Sequence, residues 1–344
     1  MGGGLYTSAG WVNMGAVLDM DSPFVFGWGA RGIGKTYGAL LELYRRGVKF
    51  ALMRNTQSES DYLLSEAGNP FGQINHDTGV HVGAKRINKY MGAFYNCVDT
   101  GEAFEPAGDV LGYILSLSTI GHVRGAGRFD IDVLFFDEFI PEEHLRNMRG
   151  MGEAFLNAIE TLGRNRELLG KPPLKVVCMA NSNRIDNDIF LELGLVSQAY
   201  KMQAGGVERW TDSSRGLTLI NFNESPIAQK KKDTALYRLS GSQGRFYEMA
   251  IDNSFGYDDA RVKSKNLRNY DRLFNIGELD IYQAKDGHGY YVRPAKVVGR
   301  DYASTEYGLK SARYHYAWLH GAWLDGRVTF ENVLSSILFE KYFA

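Results

Sequence analysis

Phe24-Val-Phe-Gly-Trp-Gly-Ala-Arg-Gly-Ile-Gly-Lys-Thr36 runs an apolar segment straight into a glycine-rich one. Gly29, Gly34, Lys35 and Thr36 satisfy the pattern G-x-x-x-x-G-K-[ST] without a mismatch. Glycine lets main-chain N–H groups close around a phosphate chain where a Cβ would obstruct them. Gly29, Ala30, Arg31, Gly32, Ile33 and Gly34 are therefore the expected cradle. Lys35 is placed to reach β- and γ-phosphates, and the Thr36 hydroxyl to ligate Mg²⁺. The pattern from Lys35 to Arg46 is helical, so the positive end of its dipole faces the same phosphates. Strand, loop and helix follow one another in the required order, which argues against a turn that binds nothing.

Downstream, Lys49-Phe-Ala-Leu-Met-Arg54 reads as a second buried strand ending in a cation, followed by a polar turn over residues 54–60. Val80 to Val98 alternates and carries Lys85, Arg86 and Lys89, which predicts a β-hairpin with a basic tip. Leu111 to Ser118 predicts another buried strand, and Gly121 to Arg128 a loop with two arginines. The second strong signal is Val133-Leu-Phe-Phe-Asp-Glu138, four apolar residues delivering two carboxylates. Beside a phosphate loop, Asp137 is the expected holder of the Mg²⁺ shell and Glu138 the group that orients or deprotonates the attacking water. Met151 to Leu169 has helical periodicity. By position alone Arg164 reads as a cation offsetting a helix C-terminal dipole; the other reading is an arginine finger acting on a neighbouring subunit. Lys175 to Asn181 is one more buried strand, tipped by an amide suited to sensing the γ-phosphate. The order is that of a P-loop ATPase with an extra strand between loop and acid, as in RecA-like motors.

A length of 344 residues allows two domains. The net charge of −1 confines any nucleic-acid surface to a local patch. Candidate patches are Lys85, Arg86 and Lys89, or Lys230, Lys231 and Lys232; plain solvated charge is the competing reading. Cys97 and Cys178 lack metal-site spacing and read as core thiols of a reducing compartment. Neither a signal peptide nor a membrane span is predicted. Beyond Val207 the chain turns polar, and a smaller β-rich region follows, with strands expected over 245–255, 273–283 and 289–293. Asp286-Gly287 is its hairpin signal. Asp252, Glu278 and Asp280 are acids of the kind a two-metal centre uses, but they read better as scattered strand-end acids.

Several of these segments resemble the DNA-packaging ATPases of small tailed phages of the phi-29 group. They are the Gly29–Thr36 loop, Phe136-Asp-Glu-Phe-Ile140, Arg164-Asn-Arg-Glu167, Ala180-Asn-Ser182, Glu248-Met-Ala-Ile-Asp-Asn253 and the C-terminal helical stretch. The resemblance implies an α/β, RecA-like (ASCE) P-loop ATPase domain over residues 1–207 and a small linker domain over 208–240. Over 241–344 it implies an α+β domain like an RNase H-type nuclease that has lost its metal-binding acids. It also implies ATP and Mg²⁺ as ligands, and a homo-oligomeric ring of five around double-stranded DNA. Its further implied partners are a phage portal or connector and a structural packaging RNA, in the host cytoplasm at the portal vertex of a procapsid. Lys35 and Thr36 match the family's Walker A residues, Asp137 its Walker B aspartate, Glu138 its catalytic glutamate and Arg164 its trans-acting finger. Arg124 falls where a second basic residue acts across the subunit boundary, an arginine in place of the family's lysine. The family's basic residue just beyond the second strand has no clear counterpart after Arg54. Two other functions fit a phosphate loop beside an acidic strand: a helicase or translocase on cellular DNA, and a small-molecule kinase.

Overall fold

The computed structural model describes residues 4–101, 103–123, 129–141, 148, 150–181, 185–222, 225–231, 234, 235, 239 and 265–343. The chain divides into two units, residues 1–184 with 201–254, and residues 185–200 with 255–344.

The first unit is built on one sheet. Its strands are β1 (Phe24–Gly29), β2 (Phe50–Arg54), β3 (Val82–Asn88), β4 (Met91–Asp99), β5 (Phe104–Ser116), β6 (Val133–Asp137), β7 (Lys175–Ala180), β8 (Arg209–Asp212) and β9 (Leu217–Phe222). They lie in the order β3-β4-β5-β2-β6-β7-β1-β9-β8. From β5 to β9 every neighbour is parallel, and β3, β4 and β8 are antiparallel additions at the two edges. The parallel strands are unbroken apolar runs because both faces are covered. One face carries α1 (Met14–Leu18), α2 (Lys35–Arg45) and α4 (Gly72–Thr78), with α3 (Gln57–Tyr62) after β2. Toward α5 (Met151–Gly163), Phe26 and Phe136 pack on Phe155, and Phe139 packs on both of them. The polar turn expected at 54–60 is the start of α3, whose Thr56 and Glu59 form a reciprocal cap.

β7 lies between β1 and β6, so one strand separates the phosphate-loop strand from the acidic one, as expected of a RecA-like ATPase. Every parallel strand therefore ends its chemistry-bearing tip on the same edge of the sheet.

The expected boundary at 207/208 is not where this unit ends. β9 pairs in parallel along the whole of β1, from Phe24↔Leu217 to Gly29↔Phe222, and β8 pairs with β9. The polar stretch 208–216 is an edge strand and a turn before a fully buried strand, not the opening of a linker. Residues 185–200, with α6 (Asp188–Glu192) and the start of α7 (Val196–Ala204), belong to the second unit.

In that second unit β10 (Tyr270–Ile276), β11 (Leu279–Ala284) and β12 (Tyr290–Pro294) form an antiparallel meander, and β13 (Val328–Phe330) adds in parallel to β12. The single strand expected over 273–283 is a hairpin that reverses at Gly277, where φ is +49°. The Asp286-Gly287 turn is where the sequence predicts it. Helices Glu306–His315, Trp318–Leu324 and Val333–Phe343 complete the unit. Asp280 accepts from Asn275 Nδ2 at 3.2 Å and lies 3.6 Å from Arg272, a structural pairing. The expected strand over 245–255, with Asp252, lies outside the described residues. Among the described residues no helix is long and apolar enough to cross a membrane.

Candidate functional site

The site begins at the end of β1. A Cβ on Gly29 would stand 2.7 Å from Phe222 Cβ and 2.9 Å from its carbonyl oxygen, so only glycine lets β1 turn there against β9. Gly34, at φ +91°, caps α2 without a side chain and leaves the helix's first N–H groups facing the loop. Lys35 is the first residue of α2. It is buried, and its Nζ donates to the carbonyls of Gly29 (3.2 Å) and Ala30 (2.7 Å). Burial lowers its pKa to about 8, against the opposing pull of the Glu138 and Asp137 carboxylates.

Thr36 Oγ1 lies 2.9 Å from both carboxylate oxygens of Asp137, which joins the loop to β6 across 101 residues of chain. Arg54 Nη2, from the tip of neighbouring β2, sits 2.8 Å from Asp137 Oδ2. Desolvation raises the Asp137 pKa, although Arg54, Thr36 and Lys35 all act to lower it. Glu138 turns into the left-handed region at φ +57°, an expensive conformation for a non-glycine residue. Two contacts hold it there: Asn55 Nδ2 donates to its carbonyl at 2.6 Å, and the Phe139 N–H donates to Met179 O at 3.2 Å. Its carboxylate accepts from the Asn181 backbone N–H at 3.2 Å and from the Asn181 side-chain amide. Burial first, and then the Asp137 charge, push the Glu138 pKa upward.

Five of the residues singled out in the sequence thus come together: Lys35, Thr36, Asp137, Glu138 and Asn181. Asn181 bonds the glutamate itself. Arg54 and Asn55 were not singled out, although the cation ending β2 was the available signal. What makes it matter is strand order, since β2 pairs directly with β6 (Met53↔Phe136). Arg54 Nε and Asn55 Oδ1 are buried without a hydrogen-bond partner, so polar capacity remains beside the two acids.

Arg54 carries a prediction. Arg54→Met takes from buried Asp137 the cation that pairs with it and is expected to destabilise the fold by about 3–5 kcal/mol. Added Mg²⁺ should recover part of that loss. Calorimetric unfolding with and without Mg²⁺ reads it, and an unchanged midpoint would show that the pair is not structural.

Arg164 stands elsewhere. It is exposed at the C-terminus of α5, with φ +23°. Two residues on, Arg166 is buried and donates to the carbonyls of Ile131 and Pro172 and to Asp132. Asp132 precedes β6, so this corner lies at the opposite edge of the sheet, roughly 16 Å from Asp137 at 3.3 Å per strand residue. Lys85, Arg86 and Lys89 lie exposed on the β3–β4 hairpin; Arg86 pairs with Asp61 at 2.8 Å and Lys89 stands over the Tyr90 ring. Lys231, one of the candidate nucleic-acid patch residues, bonds the phosphate loop. Arg124, Ser182 and Lys232 lie outside the described residues.

Beside the loop, residues 5–13 fold back as an arm. Val12 N–H donates to Ile33 O at 3.0 Å, and Asn13 N–H to Leu5 O. Between this arm, α2 and α4 lies a cleft of about 670 Å³, lined by Trp11, Asn13, Gly34, Tyr37, Leu41 and Gln73 among others. Its size is that of a small-molecule site, and it opens beside the phosphate cradle.

Residues 8–296 match the family described as Podovirus DNA encapsidation protein (Gp16). The DNA packaging protein of Bacillus phage phi29 is 25% identical over 349 residues, spanning 95% of each chain. That of Bacillus phage B103 is 24% identical over 339 residues, spanning 92% of this chain and 95% of its own. In fold, the chain is similar to the bacteriophage Phi-29 viral genome packaging motor assembly, with a TM-score of 0.59 at 20% identity over 98% of this chain and 99% of that one. The Phi-28 gp11 DNA packaging motor gives 0.58 at 17% identity, over 98% and 97%.

Proposed function

Since the chain belongs to the Podovirus DNA encapsidation protein family, we propose that it is the ATP-driven subunit of a ring that translocates double-stranded viral DNA through a portal into a procapsid. The observation that carries this reading is the meeting of Thr36 with Asp137, beside a glutamate held by an amide from the intervening strand. A hydroxyl and a carboxylate are the oxygen donors Mg²⁺ takes, and glycine-lined N–H groups with a buried lysine suit a phosphate chain. Thr36 and Asp137 would hold the metal, which when bound neutralises charge developing on the phosphates.

The chain's own residues do the rest. Lys35 exchanges its carbonyl partners for phosphate oxygens, a stronger, charge-assisted bond. The cleft beside Trp11 and Tyr37 receives the nucleoside. Arg54 orients Asp137. Glu138, with its raised pKa, aligns the attacking water and takes its proton, while Asn181 restrains it. Arg164 closes the site of the next subunit, so hydrolysis proceeds at subunit interfaces. The Arg124 position would act across the same boundary. Five subunits around DNA, and docking on a portal and a packaging RNA, complete the proposal; the assembly works in the host cytoplasm at the portal vertex. DNA contacts would be backbone-directed and salt-sensitive, with Lys85 and Lys89 as candidates.

The test is ATP turnover with and without double-stranded DNA, together with nuclease protection of DNA by added procapsids. Stimulation and ATP-dependent protection are expected. Turnover indifferent to DNA but dependent on a small acceptor would make the protein a kinase; duplex unwinding would make it a helicase.

The pH dependence of nucleotide binding follows from Lys35. Its pKa of about 8 in the free protein must rise when phosphates surround it, so binding takes up a proton above pH 8. Affinity is therefore highest below pH 8 and falls as pH rises, by at most about tenfold per unit. Fluorescent-nucleotide titrations from pH 7 to 9.5 measure this. A flat profile would mean that Lys35 does not contact the phosphates.

A further inference from the structure

One cation at the loop has no part in the chemistry above. α8 (Pro226–Lys231) follows β9, the strand beside β1. Its last residue, Lys231, donates from Nζ to the carbonyls of Arg31 (2.8 Å) and Gly32 (2.7 Å). Gly32, at φ +66°, takes the left-handed turn that favours glycine, and the Lys231 ammonium sits directly beside it. Lys35 takes the carbonyls of Gly29 and Ala30, and Lys231 those of the next two residues. Two ammonium groups thus converge on four consecutive residues, and each carries a pKa lowered first of all by desolvation. Like charges brought together and partly dried are matched by a polyanion, and carbonyl oxygens are weaker partners for them than phosphate. The start of α8 is fixed as well. A Cβ at Gly10 would stand 2.9 Å from Pro226 Cβ, so the N-terminal arm packs closely on it. The helix is held at one end by the arm that lines the cleft and at the other by the phosphate loop.

Resting on the nucleotide reading of this loop, we propose that Lys231 is a second phosphate ligand supplied by the same subunit. It exchanges the Arg31 and Gly32 carbonyls for a β- or γ-phosphate oxygen of the nucleoside triphosphate. Loop occupancy is thereby transmitted to α8, the helix through which the chain leaves the ATPase sheet.

Lys231→Met, Lys231→Arg and Lys35→Ala, each in the full chain, are titrated with fluorescent ATP, ADP and AMP in Mg²⁺. Lys231→Met is expected to bind ATP about ten- to hundredfold more weakly, the worth of a charged hydrogen bond. It should bind AMP as the wild type does, and Lys231→Arg should keep most of the ATP affinity. Amide exchange along residues 226–231 should respond to a non-hydrolysable ATP analogue in the wild type and not in Lys231→Met. If Lys231→Met binds ATP within twofold of wild type while Lys35→Ala does not, Lys231 is only a structural tie and the proposal fails alone. An equal loss for ATP and AMP also overturns it, because a general distortion of the cleft would suffice. If Lys35→Ala binds ATP normally, the nucleotide reading falls and takes this one with it.

Discussion

Glu138→Gln lowers steady-state ATP turnover by about 10²–10⁴-fold, the usual worth of a positioned general base, while ATP binding survives. The substitution preserves shape and removes the proton acceptor. It also disturbs the partner. Asn181 offers two donors to the carboxylate, its backbone N–H and its side-chain amide, and a glutamine has one acceptor to return. One of those contacts must open, so the variant should release Asn181 as well as stall hydrolysis. Single-turnover hydrolysis of labelled ATP separates chemistry from product release. A variant hydrolysing within threefold of wild type would place the base elsewhere.

Arg164→Ala in an assembled ring should cost about 10³–10⁵ in turnover, the range for an arginine finger, with ATP affinity of the isolated subunit unchanged. The reason is positional. Arg164 sits at the edge of the sheet opposite the phosphate loop of its own subunit, on the corner that Arg166 ties to Ile131, Asp132 and Pro172. Any action on a γ-phosphate must therefore be exerted on a neighbour. Mixing Lys35→Ala with Arg164→Ala subunits should restore part of the activity, since some interfaces then pair an intact loop with an intact arginine. No recovery across mixing ratios, or full activity of Arg164→Ala alone, sinks the assignment. Arg166→Ala is the contrasting variant: it should lower the unfolding temperature, because its loss leaves the buried Ile131 carbonyl without that donor.

The phosphate loop and the acidic strand were legible because their signals are local. A buried parallel strand is one apolar run with its chemistry at the end, and both 24–36 and 133–138 have that form. Arg54 and Asn55 were not legible as site residues, because nothing within residues 49–60 says that β2 lies beside β6. Lys231 was legible as a charge in a candidate nucleic-acid patch, but not as a partner of the phosphate loop, because its partners are some 200 positions away. The boundary at 207 failed because polar residues 208–216 hide that Leu217 to Phe222 is as buried as any central strand. In the second unit a continuous β-like pattern over 273–283 concealed a reversal at Gly277.

The seat that β9 takes beside β1 bears on how the molecule can be cut. A fragment ending at residue 207 strips the flank from β1 and bares its N–H and C=O groups as a sticky border that recruits other chains. It also takes away Phe222, the floor under Gly29. The shortest soluble piece that still grips a nucleotide should run at least through Phe222, and shorter ones should precipitate.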